Sequence, residues 1–194
     1  MKNLSIIIII ISFFMLVYAT IESIDIASRK QVGTSDGIYT SYVSTSDEIR
    51  DRAIFLTKDT TDKLYQIQLL LDSVTAIPYQ SKTFQRSLPK QTIEQNFGDC
   101  DDKSNLLISM LHALGIESYF VLVPKHIFII VPLDDERLAH KKGLWIDGRK
   151  YYILETTATG SQIGFPLQYK LKQIDTILEP FSNTKLDIRD IEWR

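Results

Sequence analysis

At Gly115 the chain changes its period, and that switch constrains the fold more than any other feature. Before it, Leu107, Met110, Leu111 and Leu114 recur at i, i+3, i+4 and i+7, the stripe of a half-buried helix, and Leu106 widens the stripe. After it come runs of β-branched and aromatic residues. Ser118-Tyr119-Phe120-Val121-Leu122-Val123 ends at Pro124, and Lys125-His126-Ile127-Phe128-Ile129-Ile130-Val131 ends at Pro132. The second run is continuously apolar, as expected of a strand buried on both faces of a sheet.

The helix starts at Cys100, the only cysteine in 194 residues. Cys100 lies seven residues before Leu107, so its thiol points to the apolar side. Asp99, Asp101 and Asp102 crowd the first turn, where carboxylates complement the helix dipole, and Gly115 stops the helix from the C′ position. A lone cysteine is ordinarily a small buried apolar residue. One flanked by Gly98, Asp99, Asp101 and Asp102 is expected nearer the surface, where the helix N-terminus favours a thiolate. The carboxylates push the other way, so the thiol needs a cationic partner to act as a nucleophile.

Upstream, Ser46 is placed to cap a helix from Asp47 to about Thr57, with Ile49, Ala53 and Leu56 on one face. A second helix is expected from Thr61 to Thr75 on Leu64, Ile67, Leu71 and Val74, and Pro78 ends it, leaving Ile77-Pro78-Tyr79 extended. Residues 80–91 read as a surface loop punctuated by Pro89. Thr92-Ile93-Glu94-Gln95 has the form of a capping box, and Gly98 is expected to give backbone freedom before the cysteine.

Downstream, Asp134–Lys142 is a charged insertion carrying His140. Leu144-Trp145-Ile146 and Tyr151-Tyr152-Ile153-Leu154 flank an Asp147-Gly148 turn, the pattern of a hairpin, and Glu155 ends its second arm. His126 stands at the polar start of its strand, where a histidine can simply satisfy local hydrogen bonds. Cys100, His126 and Glu155 thus sit at a helix start, a strand start and a strand end. Such boundaries can converge on one sheet edge.

The composition limits what else the chain can do. Hydrophobic residues make up 44% and charged residues 24%, enough for a real core, while a formal charge of −2 and no long basic run argue against nucleic acid as a partner. One cysteine means no intramolecular disulfide. Lys2 precedes an uncharged stretch from Leu4 to Ala19 that ends in Val17-Tyr18-Ala19. Residues 1–20 therefore read as a signal peptide or an uncleaved signal-anchor. The rest is expected to be exported, either periplasmic or extracellular, or held at the membrane by that segment. Residues 21–45, rich in Ser, Thr, Gly and Asp, read as a tether with a turn at Gly33–Gly37. The main domain is expected over 46–165. Residues 166–194 form a C-terminal extension to which the sequence assigns no role beyond packing or a partner surface.

Taken in order, the helix pair, Ile77-Pro78-Tyr79, Gly98-Asp99-Cys100-Asp101-Asp102-Lys103, Leu114-Gly115-Ile116, His126 and Glu155-Thr156-Thr157 resemble the transglutaminase-like superfamily. The resemblance covers about residues 46–165. It implies an α+β, papain-like core: N-terminal helices, with the nucleophile helix packed on an antiparallel sheet. It also implies Cys100 as nucleophile, His126 as general base and Glu155 as the residue orienting the imidazole. Three departures stand out: glutamate where aspartate is usual, Ile127-Phe128 after the histidine, and no clear side-chain oxyanion donor, with Gln95 and Asn96 as candidates.

The resemblance implies acyl transfer or hydrolysis on peptide or isopeptide bonds of a protein or peptide substrate, with no cofactor. Whether water or an amine resolves the thioester is left open. The alternative is a non-catalytic binding module of the same fold at the cell envelope. Some exported relatives are calcium-dependent, so Asp99, Asp101 and Asp102 are also candidate calcium ligands, although adjacent carboxylates are more often helix-start charges.

Overall fold

Ser46 and Asp62 set the first two helices. Ser46 accepts the Ile49 N–H (3.4 Å) at the start of α1 (Asp47–Thr57), and Asp62 accepts the Leu64 N–H (3.0 Å) at the start of α2 (Lys63–Thr75). The computed structural model describes residues 7–17, 20, 30–81 and 87–194. Residues 1–6, 18 and 19 of the expected signal segment, residues 21–29 of the expected tether and residues 82–86 of the expected loop lie outside these. Residues 7–17 are helical, with exposed side chains from Ile7 to Leu16. Among the described residues no helix is long and apolar enough to cross a membrane.

The third helix differs from the sequence reading. Pro89, expected as loop punctuation, is the first residue of α3 (Pro89–Gln95), where its fixed φ and missing N–H cost nothing. The Leu88 N–H instead bonds the Gln91 side-chain carbonyl (2.9 Å), so Thr92 is a helix-interior residue rather than the cap.

The helix α4 (Cys100–Ala113) lies at the centre of the molecule. Asp99 caps it by accepting the Asp102 N–H (3.1 Å). It ends in a Schellman motif: Gly115 at φ 69 donates to the His112 carbonyl (2.9 Å) and Ile116 to that of Leu111 (3.0 Å). The apolar stripe predicted a half-buried helix, yet every residue from Asp102 to Leu111 is buried. The polar face is covered by chain rather than water. Asn105 accepts the Tyr42 N–H (2.8 Å), Ser109 accepts that of Ser44 (3.0 Å), and the Ser104 and Thr156 hydroxyls share a bond of 3.2 Å. Lys103 is fully buried, and its ammonium donates to the carbonyls of Ile77 (2.8 Å) and Thr75 (3.4 Å).

Residues 30–45 are correspondingly part of the domain, not a tether. Strands β1 (Val32–Thr34) and β2 (Gly37–Tyr39) pair as a hairpin, and Val32, Tyr39 and Val43 are buried in the core. The main sheet contains β3 (Tyr119–Val123), β4 (His126–Pro132), β5 (Leu144–Ile146), β6 (Arg149–Leu154), β7 (Thr176–Glu179), β8 (Thr184–Lys185) and β9 (Ile191–Trp193). It is antiparallel throughout, in the order β8-β7-β3-β4-β6-β5-β9. The C-terminal extension therefore supplies both edges of the sheet. The hairpin β5–β6 turns on Asp147 (φ 48) and Gly148 (φ 83), the left-handed pair of a type I′ turn.

Strand β4 is buried on both faces. Ile127, Ile129 and Val131 join the cluster under the helices, while Phe128 and Ile130 join a second cluster with Val121, Ile153 and Ile177. Segment 165–174 packs on that second face through Phe165, Leu167, Tyr169, Leu171 and Ile174. The result is the α+β arrangement expected: helices, with α4 innermost, against a curled antiparallel sheet.

Candidate active site

Cys100 is brought to the sheet by two constraints on the residues before it. The Ile77-Pro78-Tyr79 segment forms a parallel bridge with Gly98: Gly98 donates to the Pro78 carbonyl (3.2 Å) and Gln80 to that of Gly98 (3.0 Å). A Cβ on Gly98 would sit 2.9 Å from the Asp102 Cβ and 3.3 Å from the Thr92 methyl. Glycine is needed there for space beside the helix start, rather than for the backbone freedom expected.

The thiol is half-buried against the start of β4. The Ile127 N–H and the Asp101 N–H bond the sulfur, and the thiol lies 3.8 Å from the Asp101 carboxylate as its donor. Burial pushes the Cys100 pKa up to about 12, with the Asp101 and Asp99 carboxylates adding to it and the two N–H bonds opposing. The helix-terminus effect expected from the sequence is therefore outweighed, and the resting group is a neutral thiol.

His126 and Glu155 meet at the ends of β4 and β6. Nε2 of His126 lies 2.9 Å from Oε2 of Glu155, and the side chains are only 15% and 10% exposed, so water competes little for this bond. The second carboxylate oxygen accepts the N–H (2.9 Å) and hydroxyl (2.6 Å) of Thr157. Burial works to raise the Glu155 pKa, but the bond and charge of His126 and the Thr157 bonds outweigh it, and the carboxyl is held below its ordinary value. An ionised Glu155 accepts from Nε2–H, which leaves the lone pair on Nδ1 of the imidazole. The extra methylene of glutamate is taken up without breaking the contact.

Cys100, Asp101, Lys125, His126 and Ile127 line one cavity of about 260 Å³, closed on its far side by the β1–β2 hairpin through Thr34, Asp36 and Tyr39. The hairpin is pinned there: Asp36 accepts the Lys125 N–H (2.6 Å), and Ser35 donates its hydroxyl to Asp175 (2.7 Å). The structure thus brings Cys100 and His126 to one cavity and joins His126 to Glu155.

The other candidates take different places. Gln95 donates to the Ser87 hydroxyl (2.9 Å) and the Phe97 carbonyl (2.8 Å), and Asn96 is an exposed helix C-cap at φ 53, so neither is aimed at an oxyanion. The three aspartates do not fit a calcium cage. Asp99 holds the Asp102 N–H, and buried Asp102 accepts the Ser87 N–H (2.7 Å). No group of metal-ligating side chains occurs among the described residues. His112 faces Thr45 and Phe181, and His140 is exposed in the charged insertion.

Two tyrosines went unremarked as site residues. Burial first, and then the nearby Cys100, Asp99 and Asp101, raise the Tyr79 pKa. Tyr169 stacks on His126 with ring centroids 6.0 Å apart and planes at 19°. The Ile77-Pro78-Tyr79 signal pointed to the first as backbone only. Weak alternation around residue 169 contained no signal for the second.

A family model described as Transglutaminase-like superfamily matches residues 50–150, just over half of the chain. The chain belongs to that superfamily. Among solved structures it is similar to a cysteine-protease candidate from Cytophaga hutchinsonii, at 18% identity and a TM-score of 0.46, over 79% of this chain and 52% of that one. It is also similar to a protease candidate from Parabacteroides distasonis, at 15% identity and a TM-score of 0.46, over 73% of this chain and 27% of that one. The chain thus spans about half and about a quarter of those two proteins. A search of curated proteins found no match.

Proposed function

We propose that this protein is an exported thiol enzyme, a cysteine peptidase, amidase or acyltransferase acting on peptide or isopeptide bonds. The observation that carries this reading is the buried His126–Glu155 bond at the wall of the cavity that also holds Cys100. Export rests on the apolar segment after Lys2, which would deliver the domain across a membrane or keep it there.

Nδ1 of His126 takes the proton from the Cys100 thiol as the sulfur attacks the substrate carbonyl carbon. The Cys100 N–H, at the start of α4, faces the oxyanion that develops; one such donor typically contributes ~3–4 kcal/mol. The imidazolium then returns its proton to the leaving amine, giving a thioester. Water or a second amine resolves it with His126 again as base. Glu155 keeps the proton on Nε2 throughout and stabilises the imidazolium. Because the resting thiol is neutral, proton transfer accompanies attack rather than preceding it.

The neutral thiol also favours a second reading, a binding module that retains the fold without turnover. Iodoacetamide labelling of the full chain across pH separates the two. An enzyme gives Cys100 labelling near neutral pH that slows at least about tenfold in His126→Ala. Equal rates in both proteins, rising only in alkali, identify an inert cysteine and the binding module.

A further inference from the structure

Tyr169 lies outside the span that matches the superfamily, in the extension to which the sequence assigned no role, yet its ring lies against the base. His126 and Phe128 are two apart on β4 and therefore share a face of the sheet. The Tyr169 ring lies near-parallel to both, 6.0 Å and 19° from His126 and 6.3 Å and 14° from Phe128. Its backbone is held on either side. Gly164 and Phe165 donate to the Ile153 carbonyl (3.0 and 3.2 Å), and Asp175 donates to that of Leu122 (2.8 Å). Between these anchors the Lys170 N–H bonds the Gln173 side chain (2.9 Å) and the Gln173 N–H returns to the Lys170 carbonyl (2.8 Å). The ring is thus fixed by packing and by two strands, not by its own polar end.

An imidazole with one hydrogen-bonded nitrogen can still swing about that bond. The proposed mechanism needs Nδ1 turned to the cavity, which requires something flat against the ring face, and small departures from reactive geometry are costly in rate. We propose that Tyr169 is a positioning residue, its ring holding the His126 imidazole in the plane that keeps Nε2 on Glu155 and Nδ1 towards the Cys100 cavity. The proposal rests on the catalytic reading above and extends the working site into the C-terminal segment. The flat face is what acts. Among the described residues the hydroxyl has no hydrogen-bond partner, so phenylalanine keeps the function and leucine, of comparable packing but without a flat face, does not.

The groups that set the charge around His126 are Glu155 from β6, Cys100 and Asp101 from α4, Asp36 from the hairpin and Lys125 beside it. None is altered by substitutions at position 169, so a changed pH profile reports the imidazole itself. The test is iodoacetamide labelling of Cys100 against pH in the full chain, with thermal melting to confirm folding, for wild type, Tyr169→Phe, Tyr169→Leu and Tyr169→Ala. Tyr169→Phe is expected within about twofold of wild type. Tyr169→Leu and Tyr169→Ala are expected to label about tenfold more slowly near neutral pH, with a shifted pH midpoint. A folded Tyr169→Leu that labels like wild type overturns the proposal, as does a Tyr169→Phe as slow as Tyr169→Leu. Should His126→Ala also leave the wild-type profile unchanged, the catalytic reading itself has failed. Should only the position-169 variants be silent, that reading stands and the role of Tyr169 alone is lost.

Discussion

The span from 50 to 150 and the chain flanking it contribute unequally to the cavity. The matched span holds Cys100 on α4 and His126 on β4. The flanks hold Glu155, which bonds His126, the ring of Tyr169 and the β1–β2 hairpin that closes the cavity. Cys100 and His126 thus come from one contiguous helix–strand unit, while the groups that bond, stack on and enclose them come from outside it. A profile built on the unit can identify the family without describing the site. Under the proposed function, a nucleophile helix needs only a strand to lie against, whereas a base must be restrained from several directions at once.

The comparison is tested most severely inside the span. Under the proposed function, His126→Ala should lower kcat/KM on a responsive peptide substrate by about 10²–10⁴-fold, and His140→Ala should change it less than about twofold. The reverse result would move the base out of the cavity. The flank comes next. Glu155→Gln keeps the shape but lets the amide act as donor or acceptor, so the favoured tautomer is lost; kcat should fall by about 10²–10⁴-fold with KM little changed. If that variant turns over normally, the flank encloses the site without orienting it.

Lys103 joins the two regions, since its ammonium lies in the field of Glu155 while holding the carbonyls of Ile77 and Thr75. Lys103→Met leaves those carbonyls buried without their donor and should cost about 1–3 kcal/mol in denaturant unfolding. No loss would mean that the segment before Tyr79 is held by packing alone.

The last effect is in pH dependence. The Cys100 pKa is raised from an ordinary 9.0 to about 12, so the folded protein keeps a proton that the unfolded chain releases. The stability this contributes is complete below about pH 9 and is lost as pH rises towards 12. Cys100→Ala should flatten that alkaline loss in thermal melts. Glu155 has the opposite sign: its depressed pKa contributes stability above the unfolded value, lost on acidification, and Glu155→Gln should reduce that acid loss.

Much of the fold was legible because its signals are local. Ser46 caps α1, Gly115 ends α4, and Asp147-Gly148 turns β5 into β6 as their chemistry requires. Misreadings arose where a competing signal, nearby or distant, overrides the local pattern. Thr92 resembled a cap until Pro89 proved able to start the helix. The polar residues of α4 suggested a solvated face until residues 41–44 were seen to satisfy them. The same holds for the flanks: strands as short as β1 and β9 carry too few residues for a period, and only pairing defines them.

By itself the sequence determined α1, α2, α4 and β3 to β6 and the order of the three candidate site residues, because caps, periods and turn dipeptides act within a few positions. Only the tertiary structure decided that Nε2 rather than Nδ1 of His126 meets Glu155, that the thiol is neutral at rest, and that the hairpin and Tyr169 lie about His126. Those depend on desolvation and on contacts between residues tens of positions apart, and neither is encoded in any short stretch of chain.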